Sequence, residues 1–433
     1  MRKILNIING IIFILFITTT SYAQHRFEIS GQFIPRLEQR HGYRTLAPLH
    51  SKSAVFVSER LRLNFDYQNK YVRLYASLQD VRTWGSEEQV KNFGSFGLHE
   101  GWAEIFIKNK ASVKLGRQEI VYDDHRLFGN LDWVQAARSH DGIVVKYFNK
   151  NTIFHVGGAF NQSGENLLGT DYRLKNYKAL VYGYFNQKFD SGRTSLSVYA
   201  ITDGFQNKDT IKPATYFRFT GGPRFEAKYK HINANAAVYV QTGKTISNQI
   251  ILAYFAGVYA EYTHPKINAG IGYDYLSGNN ASKIGDTKYH AFNTLYATNH
   301  KFYGHMDYFL DLPADTKLGG LQDLYVRLNY RPKHKGMIGT DVHYFFSGNK
   351  IKDVKNPGNY LKLPLGFELD LYGTYKPYEF MEIRAGYSVM AATASMEAIK
   401  GGSKNAYNGW SFVMISLKPS LFKYEKEAKP ENK

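Results

Sequence analysis

Strand-length segments in which apolar and polar side chains alternate fill nearly the whole chain, and the connections between them alternate between short and long. A period of two sends successive side chains to opposite faces, so each segment reads as a β-strand with one apolar and one polar face. After an N-terminal leader there are about 18 such segments, close to the even-numbered antiparallel pattern of a transmembrane barrel. The short links are Gln68-Asn69, Lys108-Asn109-Lys110, Asn149-Lys150-Asn151, Asp190-Ser191-Gly192, Lys230-His231, His264-Pro265, Arg331-Pro332-Lys333-His334 and Lys376-Pro377. Longer polar stretches lie between them, near 40–53, 83–96, 122–134, 162–173, 203–213, 279–318, 349–360 and 392–406. A soluble sandwich has no reason to gather every long loop at one end. A closed barrel with tight turns on one rim and long loops on the other does. The expected fold is therefore all-β: a single transmembrane antiparallel β-barrel over residues 24–424, with a charged tail over 425–433.

The first 23 residues read as a signal peptide. Arg2 and Lys3 give a basic start, Ile4 to Thr18 is largely apolar, and Ser21-Tyr22-Ala23 supplies small residues at the positions a signal peptidase needs. The apolar run is shorter than the roughly 20 residues of a membrane helix, so cleavage after Ala23 is expected. An exported barrel belongs in the outer membrane of a Gram-negative-type cell, in contact with membrane lipid and lipopolysaccharide. Aromatic residues make up 15 % of the chain, with 34 Tyr and 29 Phe. Outer-membrane barrels use such rings at both interfaces. Cysteine is absent, which excludes a disulfide framework and a thiolate metal site.

Without Arg2 and Lys3 the chain carries 53 basic against 37 acidic residues. That surplus cannot face lipid, so it belongs in the lumen, the loops or the turns. An exported barrel does not meet nucleic acid, and the expected counterpart is an anionic solute or lipopolysaccharide phosphate.

The alternation is clearest around Gln68-Asn69. Val55, Val57, Leu61, Leu63, Phe65 and Tyr67 share one face, whereas Phe56, Ser58, Arg60, Arg62, Asn64 and Asp66 share the other. Val72, Leu74, Ala76 and Leu78 continue the apolar face; Tyr71, Arg73, Tyr75, Ser77 and Gln79 continue the polar one. A two-residue turn, with Asn69 at positive φ, preserves the facing. Apolar-out and basic-in is what a hydrated channel requires. Further inward candidates are Glu100, Trp102, Glu104, Phe106, Lys114 and Gln118, and later Glu368, Asp370, Glu382 and Arg384. Inward acids facing inward bases stiffen a wall; inward arginines without partners attract anions. A turn centred on Pro377 places Asp370 opposite Arg384 on the inward face, and this pair is expected.

Three segments carry a family resemblance. Leu115-Gly116-Arg117-Gln118-Glu119, then Asp124-His125-Arg126-Leu127-Phe128-Gly129, then Arg138-Ser139-His140-Asp141-Gly142 resemble the signature of alginate-export outer-membrane barrels. Phe292 to Tyr296 with His300 to Asp307 resembles a second family segment, and Gly366 to Asp370 with Gly386-Tyr387-Ser388 a third. The resemblance implies an 18-stranded monomeric barrel whose electropositive lumen passes an anionic polysaccharide. Arg117, Arg126, Arg138, Asp141 and Asp370 fall on motif positions, as pore-wall or loop-anchoring residues. Arg60, Arg62, Arg73 and Lys114 complete the anion-attracting set, while Glu104, Glu368, Glu382 and Arg384 complete the ion-pairing wall set. The last strand ends short of the C-terminus, unlike the usual barrel, whose final residue is aromatic.

Ser139-His140-Asp141 spells a triad, but neighbours in a strand point to opposite faces, so His140 cannot touch Ser139 or Asp141. The 14 histidines show no compelling metal spacing, and no cofactor is expected. A plugged energy-coupled receptor would need a separate domain ahead of the barrel, yet strand signals begin by Phe27. The expected function is a passive channel for anionic solutes, for which the resemblance implies uronate-type saccharides, with no enzymatic activity; a barrel whose loops bind a partner or hydrolyse a substrate is the alternative. An even strand number places both termini on one side, expected to be periplasmic, and makes 279–318 the largest external or lumen-folded loop.

Overall fold

The structure is a computed structural model describing residues 25–90, 96–172, 174–207, 212–333 and 335–426. The leader with its cleavage site, and the tail beyond Lys426, lie outside the described residues. Numbered along the chain, β1 to β6 are His25–His41, Ala54–Gln68, Val72–Thr83, Gly97–Ile107, Ala111–Gln118 and His140–Phe148. Strands β7 to β12 are Thr152–Phe160, Ala179–Phe189, Thr194–Gln206, Thr215–Tyr229, Ile232–Lys244 and Ile250–Thr263. Strands β13 to β18 are Ile267–Leu276, Leu321–Lys333, Gly336–Ser347, Pro364–Tyr378, Met381–Ala392 and Gly409–Leu417. Each pairs antiparallel with its neighbours, and β18 closes the barrel on β1 through Phe33↔Leu417 and Arg36↔Met414. Beyond Lys418-Pro419, Ser420–Lys426 continues β18 down the same partner, to His25↔Lys426. Glu425 and Lys426 thus belong to the wall and not to a tail. An 18-stranded barrel results, with the first and last described residues together on the short-turn rim.

The two faces sort as the alternation requires. Leu61, Leu74, Ile105, Val145, Val181, Leu252, Ile271, Leu371 and Val413 point outward and are 38–58 % exposed in the isolated barrel, forming the belt that meets lipid. Aromatic rings border it at both ends: Tyr71, Phe189, Tyr229, Tyr262 and Tyr378 on the short-turn side, Phe160, Phe217, Tyr254, Tyr344 and Tyr387 on the other. Inward positions are polar and buried, among them Arg60, Arg62, Asp203, Asp274, Asp323 and Glu368.

Four turns sit elsewhere than the sequence suggested, the least displaced being that of β12–β13, where the His264–Ile267 pair puts the turn at Pro265-Lys266. Gln68 pairs with Arg73, so the β2–β3 hairpin turns two residues later, at Lys70-Tyr71. Asn69 acts through its side chain, whose Oδ1 accepts the N–H groups of Tyr71 (2.8 Å) and Val72 (2.9 Å). Strand β14 runs through Pro332, and β16 runs through Pro377 to a turn at Glu379-Phe380. Both prolines lie where the register breaks, between Tyr330 and Lys333 and between Tyr375 and Tyr378. A bulge needs no ladder donor there, so a strand tolerates proline.

The consequence for β16 and β17 is a register four residues away from the expected one. Arg384 lies opposite Thr374, and Asp370 lies opposite Ser388. The expected Asp370–Arg384 pair does not form, although both side chains keep the inward face because the shift is even. Cysteines at Thr374 and Arg384 should crosslink in the oxidised barrel, since opposed residues lie within disulfide reach. Asp370→Cys with Arg384→Cys should not, because four residues along a strand separate them by about 13 Å. Crosslinking of the second pair and not the first would restore the Pro377 turn.

Two loops from the long-loop rim fill the lumen. Residues 119–139, between β5 and β6, and residues 277–320, between β13 and β14, bury Leu127, Phe128, Phe292, Tyr303, Met306 and Phe309 to 2 % exposure or less. The second loop contains the short helix α1, Leu312–Asp315; a helix α2, Ala394–Lys400, packs Met396 and Ile399 against the top of the barrel from the last loop. The two inserted loops are zipped together. Tyr296 N donates to Leu127 O (3.0 Å), Gly129 N to Tyr296 O (2.9 Å) and Thr298 N to His125 O (3.0 Å). This seam is a plug built from the chain's own loops.

Candidate pore and plug

The wall holds the plug through inward charges. Arg126, from the first inserted loop, donates to Asp274 Oδ2 of β13 at 2.6 Å and to the Tyr303 hydroxyl of the second loop at 3.2 Å. Its guanidinium also lies 4.0 Å from the Phe302 ring centroid. One side chain therefore joins both loops to the wall. Neighbouring Asp124 faces Arg224 of β10 at 3.5 Å. Asp123 accepts the hydroxyls of Tyr184, Ser197 and Tyr199.

Further along the same loop, Arg60 of β2 pairs with Asp132 (2.8 Å) and donates to Gln135 O (3.2 Å). Burial opposes the Asp132 charge, but Arg60 outweighs it and holds the carboxyl below the usual carboxylate range. Arg36 of β1 donates to Trp133 O and stacks its guanidinium 4.1 Å above that indole. The opposite side of the plug rests on β16. Glu368 accepts Met306 N at 2.8 Å and Asp370 accepts His305 N at 3.3 Å, both carboxylates being fully buried.

The remaining expected residues divide by surroundings. Arg73 makes a bidentate contact with Asp66, both bonds 2.9 Å, and Glu104 takes Lys146 (2.9 Å) and the Ser112 hydroxyl (2.6 Å). Arg62 donates to the Gln79 amide oxygen, and the Lys114 ammonium sits 3.8 Å from the Trp102 ring centroid. Glu382 is flanked by Lys376 (3.2 Å) and Arg384 (3.9 Å). Arg117 and Asp141 pair with each other at 2.8 Å on directly opposed positions of β5 and β6. They share the alternation of outward Leu115 and Ile143, so they reach the lumen only at its rim. His140 takes the inward alternation and bonds the Tyr177 hydroxyl at 2.8 Å, apart from Asp141.

Two cavities flank the plug. The mouth cavity, about 810 Å³, is bounded by Arg138, Lys175, Arg218, Lys244 and the rings of Tyr177, Tyr289 and Tyr296. Arg218 is tied bidentately to Asp203. Arg138 donates to the carbonyls of Ala297 (3.1 Å) and Gly129 (3.4 Å), and burial works against its charge. Among the described residues, no carboxylate lies within 4.0 Å of Arg138, Lys175 or Lys244. The inner cavity, about 420 Å³, is lined by Arg36, Arg60, Lys301, Arg384 and Lys418 with Asp132, Glu382 and Trp133.

Several of these residues escaped the sequence. Arg36 and Glu38 sit two apart on one strand face, a signal that alternation in β1 could have supplied. Asp203 opens a stretch whose polar composition suggests a loop, whereas β9 runs on to Gln206. Lys175 and Lys244 lie in or beside loops and carry no local mark.

The solved structures similar to this chain are outer-membrane barrels. OccAB1 of Acinetobacter baumannii superposes with a TM-score of 0.62 at 12 % identity, covering 92 % of this chain and 97 % of that one. OprD of Pseudomonas aeruginosa gives 0.61 at 12 % identity, covering 91 % and 94 %. OccK2 (OpdF) of Pseudomonas aeruginosa, solved in complex with glucuronate, gives 0.57 at 10 % identity, covering 92 % and 98 %. At such identities the likeness is one of fold. No curated protein matches in sequence. The family model described as alginate export matches residues 41–405, which takes in both inserted loops and sixteen of the strands in full. The chain therefore belongs to the alginate-export family, built on the closed 18-stranded antiparallel barrel of outer-membrane proteins.

Proposed function

We propose that this barrel is an outer-membrane channel for anionic solutes, of which uronate-type saccharides such as alginate are the class favoured by its family. The observation that carries this reading is the mouth cavity. Arg138, Lys175 and Lys244 present charges there with no carboxylate within 4.0 Å among the described residues, beside three tyrosine rings; the same cavity wall also carries Asp311 and the Arg117-paired Asp141. A carboxylated sugar offers both complements: an anion for the cations and an apolar ring face for the aromatics. The low-dielectric walls of a narrow channel make such charges felt beyond contact distance. Passage is by diffusion, in contact with lipid and lipopolysaccharide, and the barrel acts as a monomer.

The arginines of the wall play a different part from those of the mouth. Arg60 and Arg73 of the wall, like Arg126 of the plug, are each matched by a carboxylate, so they hold structure and add little net field. Arg62 and Lys114, on inward positions with no carboxylate within 4.0 Å among the described residues, complete the basic set of the lumen.

Planar bilayers with a salt gradient test the assignment. In the Arg138→Gln, Lys175→Gln, Lys244→Gln variant the anion-to-cation permeability ratio should fall by about twofold or more, with the barrel still folded. Arg73→Gln combined with Asp66→Asn should change it little, because the pair leaves the lumen with its net charge unchanged. An unchanged ratio in the triple variant, or a wild-type barrel that prefers cations, would refute the anion channel.

A further inference from the structure

The root of the first inserted loop holds a group of side chains that the pore does not use. The β3–β4 ladder pairs Ser77 with Glu100 but Leu78 with Leu98, so His99 is an extra residue in β4. A bulge of this kind breaks the alternation, and here it brings consecutive residues, His99 and Glu100, to the same side. Glu119, the first residue after β5, closes the group. Its Oε1 lies 3.0 Å from His99 Nε2, and one ligand atom from each of the three residues falls within 4.8 Å of the others. The His99 side chain is 2 % exposed.

Each of the two carboxylates is also oriented from outside the group. Trp102 Nε1 donates to Glu100 Oε1 at 3.1 Å, and Asn130 Nδ2 donates to Glu119 Oε2 at 2.9 Å. Outer contacts of this type fix the carboxylates that bind metals. Among the described residues, no Lys or Arg nitrogen comes within 4.0 Å of Glu100 or Glu119. Elsewhere in this lumen inward carboxylates such as Asp66, Glu104, Asp203 and Asp274 are neutralised by a base. Two carboxylates brought together in a partly buried place need a counter-charge, and a single histidine supplies at most one.

We propose that His99, Glu100 and Glu119 form a divalent-cation site of zinc type, which fastens the root of the 119–139 loop to the barrel wall. One imidazole nitrogen and two carboxylate oxygens, without thiolate, suit Zn²⁺ and leave a fourth position for water. The cation takes the place of the proton between His99 Nε2 and Glu119 Oε1, and that proton is released to solvent. Because Glu119 and Asn130 both belong to the inserted loop while His99 and Glu100 belong to the wall, the cation couples plug to barrel. The proposal is independent of what the channel passes.

The test uses the full-length barrel, free of any affinity tag, folded in detergent and stripped with EDTA, with Zn²⁺ alone as the probe. Titration calorimetry and elemental analysis should give one tightly held zinc per chain. The Glu119→Gln variant, which keeps an oxygen for Asn130, and the His99→Asn variant should bind at least about tenfold more weakly. Zinc should also slow proteolysis within 119–139 in the wild type and not in Glu119→Gln. Tight zinc binding undiminished in both variants would place the metal on other histidines and overturn the proposal. So would the absence of a stoichiometric zinc site in the folded wild type, or calcium binding there in preference to zinc.

Discussion

Replacing Arg126 by alanine should open the pore. Arg126 touches β13 through Asp274 and the second inserted loop through Tyr303 and Phe302. Its removal leaves Asp274, 1 % exposed, as a buried charge without its partner. Breaking a buried pair from one side costs about 3–5 kcal/mol, chiefly because the remaining charge stays desolvated. The barrel ladder does not pass through this contact, so the plug bears the loss. Single-channel conductance should rise several-fold and fluctuate, and the 119–139 and 277–320 loops should become accessible to added protease. Arg126→Ala combined with Asp274→Ala removes both charges and should recover most of the closed state. Wild-type conductance in the single variant would show that the seam between Leu127 and Tyr296 holds the plug without the arginine.

Glu368 offers a second lever, and here the hydrogen bond and the charge can be separated. Its Oε1 accepts Met306 N at 2.8 Å, inside a fully buried environment, with Asp370 beside it on the same strand face. Glu368→Gln keeps an acceptor of the same shape and removes the carboxyl that shares this buried space with Asp370. That variant should hold the plug at least as well as the wild type. Glu368→Ala orphans the Met306 amide and leaves a gap, a loss of about 1–3 kcal/mol from the unsatisfied donor alone. Its conductance should rise while that of Glu368→Gln does not. Gly304 holds φ +80 against this carboxyl, and a Cβ there would collide with Glu368 Oε1. Equal effects from Gln and Ala would mean that the Glu368 charge itself, and not its acceptor oxygen, seats the turn at 304–306.

The division between wall and plug also explains why the basic surplus of this chain is a poor guide to its channel. Arg60, Arg73 and Arg218 face inward from the wall, Arg126 reaches the wall from the plug, and each meets an aspartate. Counting inward bases overstates the field, because pairing across strands or from wall to loop cancels it locally. What distinguishes Arg138, Lys175 and Lys244 is the company they keep, which only the folded mouth reveals.

The amino-acid sequence by itself determined the barrel. A period of two is a local property, so Leu61 and Leu74 outside and Arg60 and Arg73 inside could be assigned from their neighbours alone, and the order of short and long links set the two rims. Local signals fell short where a strand departs from the regular pleat. Pro332 and Pro377 look like turn residues, yet bulges carry both within strands; the resulting register put Thr374 and not Asp370 opposite Arg384. The bulge at His99 likewise turned two consecutive side chains to one side, which no alternation rule anticipates. Above all, tertiary structure decided the contents of the lumen. The stretches near 122–134 and 279–318 read as polar loops, but their Phe128, Phe292, Tyr303 and Met306 bury against the wall and against each other. Contacts between segments more than 150 residues apart, such as Arg126 to Tyr303, have no local signature, because they exist only once the barrel has closed around them.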